Sequence, residues 1–146
     1  MADLIRRRFD NPKQTLQELF QRIIFNILVG NTDDHARNHA AFWDGQSLRL
    51  TPAYDICPQL PSGQEATQAM ALEGISDNLS TLINALSTCE TYLLDKQEAK
   101  QIIDRQINVI NQHWDAVCKE AKISEIERQR LWQSCIFNPY CFFGYE

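Results

Sequence analysis

A mainly α-helical single domain with one β-hairpin near its start is the fold class this sequence predicts. Three observations carry it. Apolar residues between positions 16 and 28 recur at helical spacing, two capping boxes introduce later helical stripes, and an Asp-Gly turn joins two short apolar runs in between. The 146 residues suffice for one domain with a sizeable core and no staples. An apolar content of 44% and a charged content of 23% sit near globular averages, which excludes wholesale disorder, collagen-like repeats and a coiled coil. The 14 Lys and Arg against 19 Asp and Glu leave a formal net charge of −5. That balance argues against direct nucleic-acid binding or coating of an anionic membrane, because phosphate contacts require clustered cations. Arg6, Arg7 and Arg8 are therefore read as a solvated segment.

Residues 1–14 are charged and polar, with Asn11-Pro12 as a turn signal. Thr15 and Glu18 have the spacing of a capping box, in which hydroxyl and carboxylate satisfy each other's orphan amides. The stripe that follows is Leu16, Leu19, Phe20, Ile23, Ile24, Ile27 and Leu28, and Gly30 supplies a left-handed stop, so a helix is predicted over residues 16–29. Residues 30–38 are a polar loop. Extended runs at 40–43 and 48–51 flank Asp44-Gly45-Gln46-Ser47, which predicts a hairpin that Pro52 ends. Residues 56–78 read mostly as loop. Leu79, Leu82, Ile83 and Leu86 predict a short helix behind Asp77-Asn78. Asp95 and Glu98 cap a long helix whose stripe (Ala99, Ile102, Ile103, Gln106, Ile110, Trp114, Val117, Ala121) is read as core. Ser124 and Glu127 form another box, ahead of Leu131, Trp132, Cys135 and Ile136. The aromatic tail from Asn138 to Phe143 is expected to dock on the body.

Cys57, Cys89, Cys118, Cys135 and Cys141 include no C-x-x-C pair, so the expectation is free thiols in a reducing compartment rather than a zinc knuckle or a disulfide framework. Arg6-Arg7-Arg8 is not followed by a signal-peptide apolar stretch. The apolar run at 23–29 is broken by Asn26 and is far short of the ~20 residues of a membrane span. A cytoplasmic protein without membrane contact is the expectation.

The chemistry concentrates on either side of the hairpin. Asp33 and Asn38 have the spacing D-x-x-x-x-N, and Asp55 follows the hairpin, which returns the chain to where it left. Phosphoryl transfer asks a protein for a base near the attacking hydroxyl and for oxygen ligands to Mg²⁺. A carboxylate and an amide carbonyl are hard donors of the kind Mg²⁺ takes, and it usually needs one or two carboxylates plus phosphate oxygens. A loop Asp, an Asn five residues on, a hairpin and a second Asp is the order of parts in a protein-kinase catalytic loop and metal-binding turn.

Read in full, Gly30-Asn31-Thr32-Asp33-Asp34-His35-Ala36-Arg37-Asn38 followed by Leu50-Thr51-Pro52-Ala53-Tyr54-Asp55 resembles the paired signature of the HipA family. Those are bacterial serine/threonine kinases, the toxins of type II toxin–antitoxin systems, whose motifs run close to N-x-D-D-H-x-x-N and then L-x-P-x-Y-D. The resemblance implies a protein-kinase-like C-terminal lobe, whose hairpin carries the catalytic and metal-binding turns, and ATP- and Mg²⁺-dependent phosphoryl transfer to a protein hydroxyl. It makes Asp33 the base, and Asn38 and Asp55 the Mg²⁺ ligands against the nucleotide phosphates. His35, Ala36, Arg37 and Tyr54, together with Asn38 and Asp55, fall where the family contacts ATP. Arg37 can offset phosphate charge and His35 can donate to a phosphate oxygen. Asp34 receives no catalytic role.

The departure from the family is in what these residues do not contain. No G-x-G-x-x-G or Walker loop occurs, Gly and Pro number only 5 each, and Lys13 has no strand pattern around it. The expectation is that residues 1–146 form one domain, the C-terminal lobe, inactive without an N-terminal kinase lobe that is either supplied by another chain or lost by truncation. By the resemblance, the other partners would be an antitoxin and a protein substrate such as an aminoacyl-tRNA synthetase. Two other readings compete. One is a non-catalytic remnant that binds a toxin–antitoxin partner. The other is a metal-dependent phosphohydrolase built on Asp33, His35, His39 and Asp55, the two histidines lying at i, i+4 if that segment were helical.

Overall fold

The computed structural model describes residues 1–60, 66–70 and 78–146. Helices α1 (Ala2–Arg8) and α2 (Pro12–Leu28) precede a hairpin of β1 (Ala41–Trp43) and β2 (Leu48–Leu50). Helices α3 (Leu82–Ser87), α4 (Lys96–Glu120) and α5 (Glu125–Ser134) follow. Mainly helical with one antiparallel hairpin is thus what the sequence folds into.

Helix α2 is the axis of the molecule. Leu16, Phe20, Ile24 and Leu28 are fully buried and Leu19, Ile23 and Ile27 nearly so, in the predicted stripe. Against it pack α1, α3, α4 and the short 3₁₀ turn Cys89–Tyr92, whose Tyr92 ring lies 5.4 Å from Phe20. The start differs from the expected capping box at Thr15 and Glu18. Asn11 is the N-cap, its side chain accepting from the Gln14 amide, and Pro12 occupies the first turn, where its missing N–H costs nothing. Thr15 lies inside the helix, its hydroxyl donating to the Asn11 carbonyl. Residues 2–8, charged and polar in sequence and assigned no element there, form α1. Ile5 is completely buried and packs the helix on the core, while Arg7 and Arg8 stay exposed and Arg6 pairs with Asp3 and donates to the Thr91 carbonyl.

The hairpin pairs Ala41 with Leu50, Phe42 with Arg49 and Trp43 with Leu48. Its turn is held by Asp44, which accepts from the backbone amides of Gln46 (2.9 Å) and Ser47 (2.8 Å). Those donors, that of Ser47 foremost, hold the Asp44 carboxyl below its ordinary value. A bridge from Phe9 to Leu48 and the Asp10 amide on the Leu48 carbonyl (3.1 Å) tie the hairpin to the α1–α2 junction.

Both later capping boxes form as read, Asp95 with Glu98 on α4 and Ser124 with Glu127 on α5. The core reading of the α4 stripe holds only for its first half. Ala99 and Ile103 are buried, Ile110 and Trp114 are half-buried, and Val117 and Ala121 are exposed, because the 25-residue helix outruns the body it packs on. Trp114 instead meets Trp132 of α5 at 5.5 Å, and Trp132 meets Phe137 at 5.0 Å. Helix α3 starts later than expected, with Thr81 as its N-cap. Leu82 is buried, but Leu79 and Ile83 are exposed. Asp77 and part of the predicted loop over 56–78 lie outside the described residues. The tail docks as expected, with Cys141 buried and Phe137 and Phe142 against the core, although Phe143 is exposed.

All five cysteines are free thiols, four of them buried and Cys57 exposed. Burial pushes the thiols of Cys89, Cys118 and Cys135 above their ordinary value, and that of Cys141 up to about 12. Thiolate is the reactive species, so a disulfide-exchange reagent at neutral pH is expected to modify Cys57 quickly and the other four only after unfolding. More than one fast equivalent in the native protein would contradict this packing. Among the described residues no helix is long and apolar enough to cross a membrane.

Candidate functional site

The polar loop begins where α2 is made to stop. Gly30 adopts φ +70°, and its carbonyl accepts from the Gln59 amide at 3.0 Å. Asn31 folds back on the helix end, its amide on the Asn26 carbonyl (2.8 Å) and its side chain on Asn26 Oδ1 (3.1 Å). Both asparagines are buried, so the pair satisfies itself and fixes the exit direction. Two residues later Asp33 stands exposed while Asp34 turns inward. A single 3₁₀ turn, Ala36–Asn38, then carries the chain into β1, the Asn38 amide closing on the His35 carbonyl at 2.8 Å.

The predicted juxtaposition across the hairpin is present. Asn38, buried, donates from Nδ2 to Asp55 Oδ2 at 3.2 Å, and the Tyr54 hydroxyl donates to the Arg37 carbonyl at 2.7 Å. The same Asn38 nitrogen lies 3.5 Å from the Asp33 carbonyl oxygen, so one amide stitches the loop to both of its predicted acidic residues. Asp55 has φ +57°, a left-handed conformation that aspartate tolerates better than most residues, and it is exposed. Thus Asn38 joins Asp55, and Arg37 joins Tyr54. Asp33 enters the network through its backbone and keeps its carboxylate in solvent. Ala36 and Arg37 are exposed, and half-buried His35 has an Nδ1 without a partner.

A cavity of about 340 Å³ opens beside this loop, between α2, the segment after the hairpin and α4. Into it face residues to which the sequence gave no role or a different one. The Asp34 and His39 side chains are 6% and 4% exposed, with His39 Nε2 3.0 Å from Asp34 Oδ1 but not aligned for a hydrogen bond. Their burial had no signal beyond two charged residues among many in one loop. Arg22, whose Nη2 reaches the Thr51 carbonyl at 2.6 Å and which also pairs with Glu18, was foreshadowed only by its i, i+4 spacing from Glu18.

The donor set suits one kind of metal better than another. Among the described residues no three His, Cys, Asp or Glu side chains gather at metal-binding geometry. His35 and His39 share no helix, since the segment between them is a single 3₁₀ turn. Asn38 and Asp55 supply one amide oxygen and one carboxylate, hard donors compatible with Mg²⁺ that also holds phosphate oxygens.

Helical body, hairpin and paired loops together define a domain that presents two acidic residues and a buried asparagine at one edge. The chain belongs to the family of the HipA-like C-terminal domain, whose family model matches residues 1–114. It is similar to the serine/threonine-protein kinase toxin HipA of Shewanella oneidensis, 37% identical over 46 residues, which are 32% of this chain and 11% of that protein. It is also similar to a Sinorhizobium fredii protein named "Putative kinase Y4mE", 35% identical over 54 residues, 37% of this chain and 13% of that protein. The matched segments thus cover little more than a tenth of each relative.

Proposed function

We propose that residues 1–146 supply the base and the Mg²⁺-holding half of a HipA-like serine/threonine kinase site, folded as a protein-kinase-like C-terminal lobe. The reaction is transfer of the ATP γ-phosphoryl group to a protein hydroxyl. The observation that carries this reading is the 3.2 Å contact between Asn38 and Asp55, which brings the two ends of the motif together with Asp33 exposed beside them. In the reading, Asp33 accepts the proton of the attacking hydroxyl. Asn38 Oδ1 and the Asp55 carboxylate hold Mg²⁺, which neutralises phosphate charge when bound. His35, Ala36, Arg37 and Tyr54 border the nucleotide, Arg37 placing a cation near its phosphates. A nucleotide-covering lobe contributed from outside these residues completes the site. The protein substrate, an aminoacyl-tRNA synthetase among the candidates, and an antitoxin are the partners the family resemblance supports, in a bacterial cytoplasm.

Calorimetric titration of residues 1–146 with ATP tests this. Weak binding is expected that disappears with chelator and falls at least tenfold in Asp55→Ala, with no autophosphorylation until the second lobe is added. Robust phosphotransfer by residues 1–146 alone would overturn the half-site reading. Binding indifferent to both Asp55 and chelator would overturn the ligand assignment.

A further inference from the structure

A larger groove of about 580 Å³ lies away from the proposed site, between the segment that follows Asp55, the turn joining α4 to α5, and α5 itself. Its apolar side is Pro58, Leu60, Ile123 and Leu131, with Leu60 56% exposed. Its charged side is Lys122 and Arg130, both exposed, whose side chains make no hydrogen bond or ion pair among the described residues. Glu127 is the one acid among the described lining residues. Its carboxylate is committed to Ser124, accepting from the backbone amide at 3.1 Å and from the hydroxyl at 2.7 Å. The groove thus keeps a cationic rim on a protein whose formal net charge is −5.

We infer that this groove docks an acidic segment of a partner protein, an aliphatic side chain seated on Leu60, Ile123 and Leu131 and flanking carboxylates on Lys122 and Arg130. Shape selects a chain lying across it over an enclosed metabolite. Ala121, Lys122, Glu127 and Arg130 line the groove and are nonetheless exposed, so it is open along its rim, whereas small-molecule sites bury most of their ligand. Charge selects Asp and Glu, because unpaired cations beside an apolar floor attract carboxylates and repel Lys and Arg. Two cations are too few for the other anionic partners. Duplex DNA is held by about 6–10 phosphate contacts, and a lipid surface by clusters of about 4–8 Lys or Arg. The location gives such docking a use. Pro58 stands three residues after Asp55, an interval spanning at most about 11 Å, and Cys135, which also lines the groove, lies against Gly30 at the start of the loop to Asp33. A docked protein is therefore tethered near the exposed Asp33 carboxylate. The inference stands apart from the kinase reading, since none of the residues assigned to ATP or Mg²⁺ lines this groove.

Residues 1–146 are titrated into a fluorescent peptide that carries a central leucine flanked by glutamates, with anisotropy as the readout. Saturable binding is expected that weakens as salt is raised, and the same peptide with lysines for glutamates should bind about tenfold more weakly or worse. Lys122→Glu combined with Arg130→Glu should weaken binding of the acidic peptide by about tenfold or more. Arg7→Glu combined with Arg8→Glu, which reverses two equally exposed cations on α1, should leave it unchanged. Ala121→Trp, which fills the groove from an exposed position at the end of α4, should abolish it. Asp55→Asn should not alter peptide binding even where it removes Mg²⁺-dependent ATP binding, so the two readings fail separately. Absence of binding by the acidic peptide, equal binding of the lysine peptide, or indifference to Lys122 and Arg130 would overturn the inference. So would displacement of the peptide by decanoate or by phosphatidylserine vesicles, which would make the groove a lipid site.

Discussion

Replacing Asp33 by Asn is expected to lower phosphoryl transfer by about 10²–10⁴-fold, the usual contribution of a positioned general base. The side chain is exposed and makes no hydrogen bond of its own, so the substitution removes the proton acceptor and leaves the loop where it was. The experiment uses the chain combined with a nucleotide-covering lobe, with incorporation of the γ-phosphoryl group into protein as the readout. The pattern matters as much as the size. Asp33→Asn should reduce the rate at saturating ATP and Mg²⁺ with little change in the nucleotide requirement. Asp55→Ala should raise the Mg²⁺ concentration needed for half-maximal rate. Were Asp33→Asn to retain near-normal transfer, the base would lie elsewhere and the kinase reading of this loop would lose its centre.

The second large effect falls on stability, at Gly30. A Cβ there would lie 2.7 Å from the Cys135 carbonyl oxygen, and the residue holds φ +70°. The left-handed conformation alone costs a side-chain-bearing residue about 1–2 kcal/mol. The clash is with backbone, which cannot swing aside, so Gly30→Ala is expected to destabilise by about 2–4 kcal/mol in all. Gly45→Ala provides the control, since its φ is +102° and nothing lies within 4 Å of the added carbon. Urea unfolding of both variants separates the two terms. A Gly30→Ala midpoint no lower than that of Gly45→Ala would mean that the α5 end does not press on the loop as described.

The sequence was most legible where one local interaction decides the outcome. The α2 stripe, the stop at Gly30, the Asp44 turn and the boxes at Asp95 and Ser124 each depend on residues within a turn of one another, and each formed. Misreadings arose where two local signals competed or where tertiary packing chose. The helix was expected to start at the Thr15-Glu18 box, but Asn11-Pro12, which reads as a turn signal, caps it instead, and the earlier start gains an additional turn of helix. Helix α1 exists because Ile5 finds the core, which its polar neighbours conceal. Leu79, Ile83 and Val117 kept the helical period yet face solvent, since a stripe states which side is apolar and not how far the body beneath it extends. At the site, the meeting of Asn38 with Asp55 followed from hairpin geometry alone. The inward turn of Asp34 and His39, and the unpaired atoms of Arg22 and Gln106, depend on three segments distant in sequence and left no pattern to read.

The contacts at Gly30 also order events in time. The Phe137 amide donates to the Leu28 carbonyl at 2.8 Å, and the Cys135 carbonyl roofs the glycine, so the last segment of the chain pins the stretch that leads into Asp33. A ribosome adds about 5–20 residues per second, and for the several seconds between synthesis of residues 30 and 137 the nascent polypeptide lacks that clamp. The acidic loop is therefore locked only after translation has passed Phe137, and a product truncated before that residue would carry the complete motif in an unanchored form.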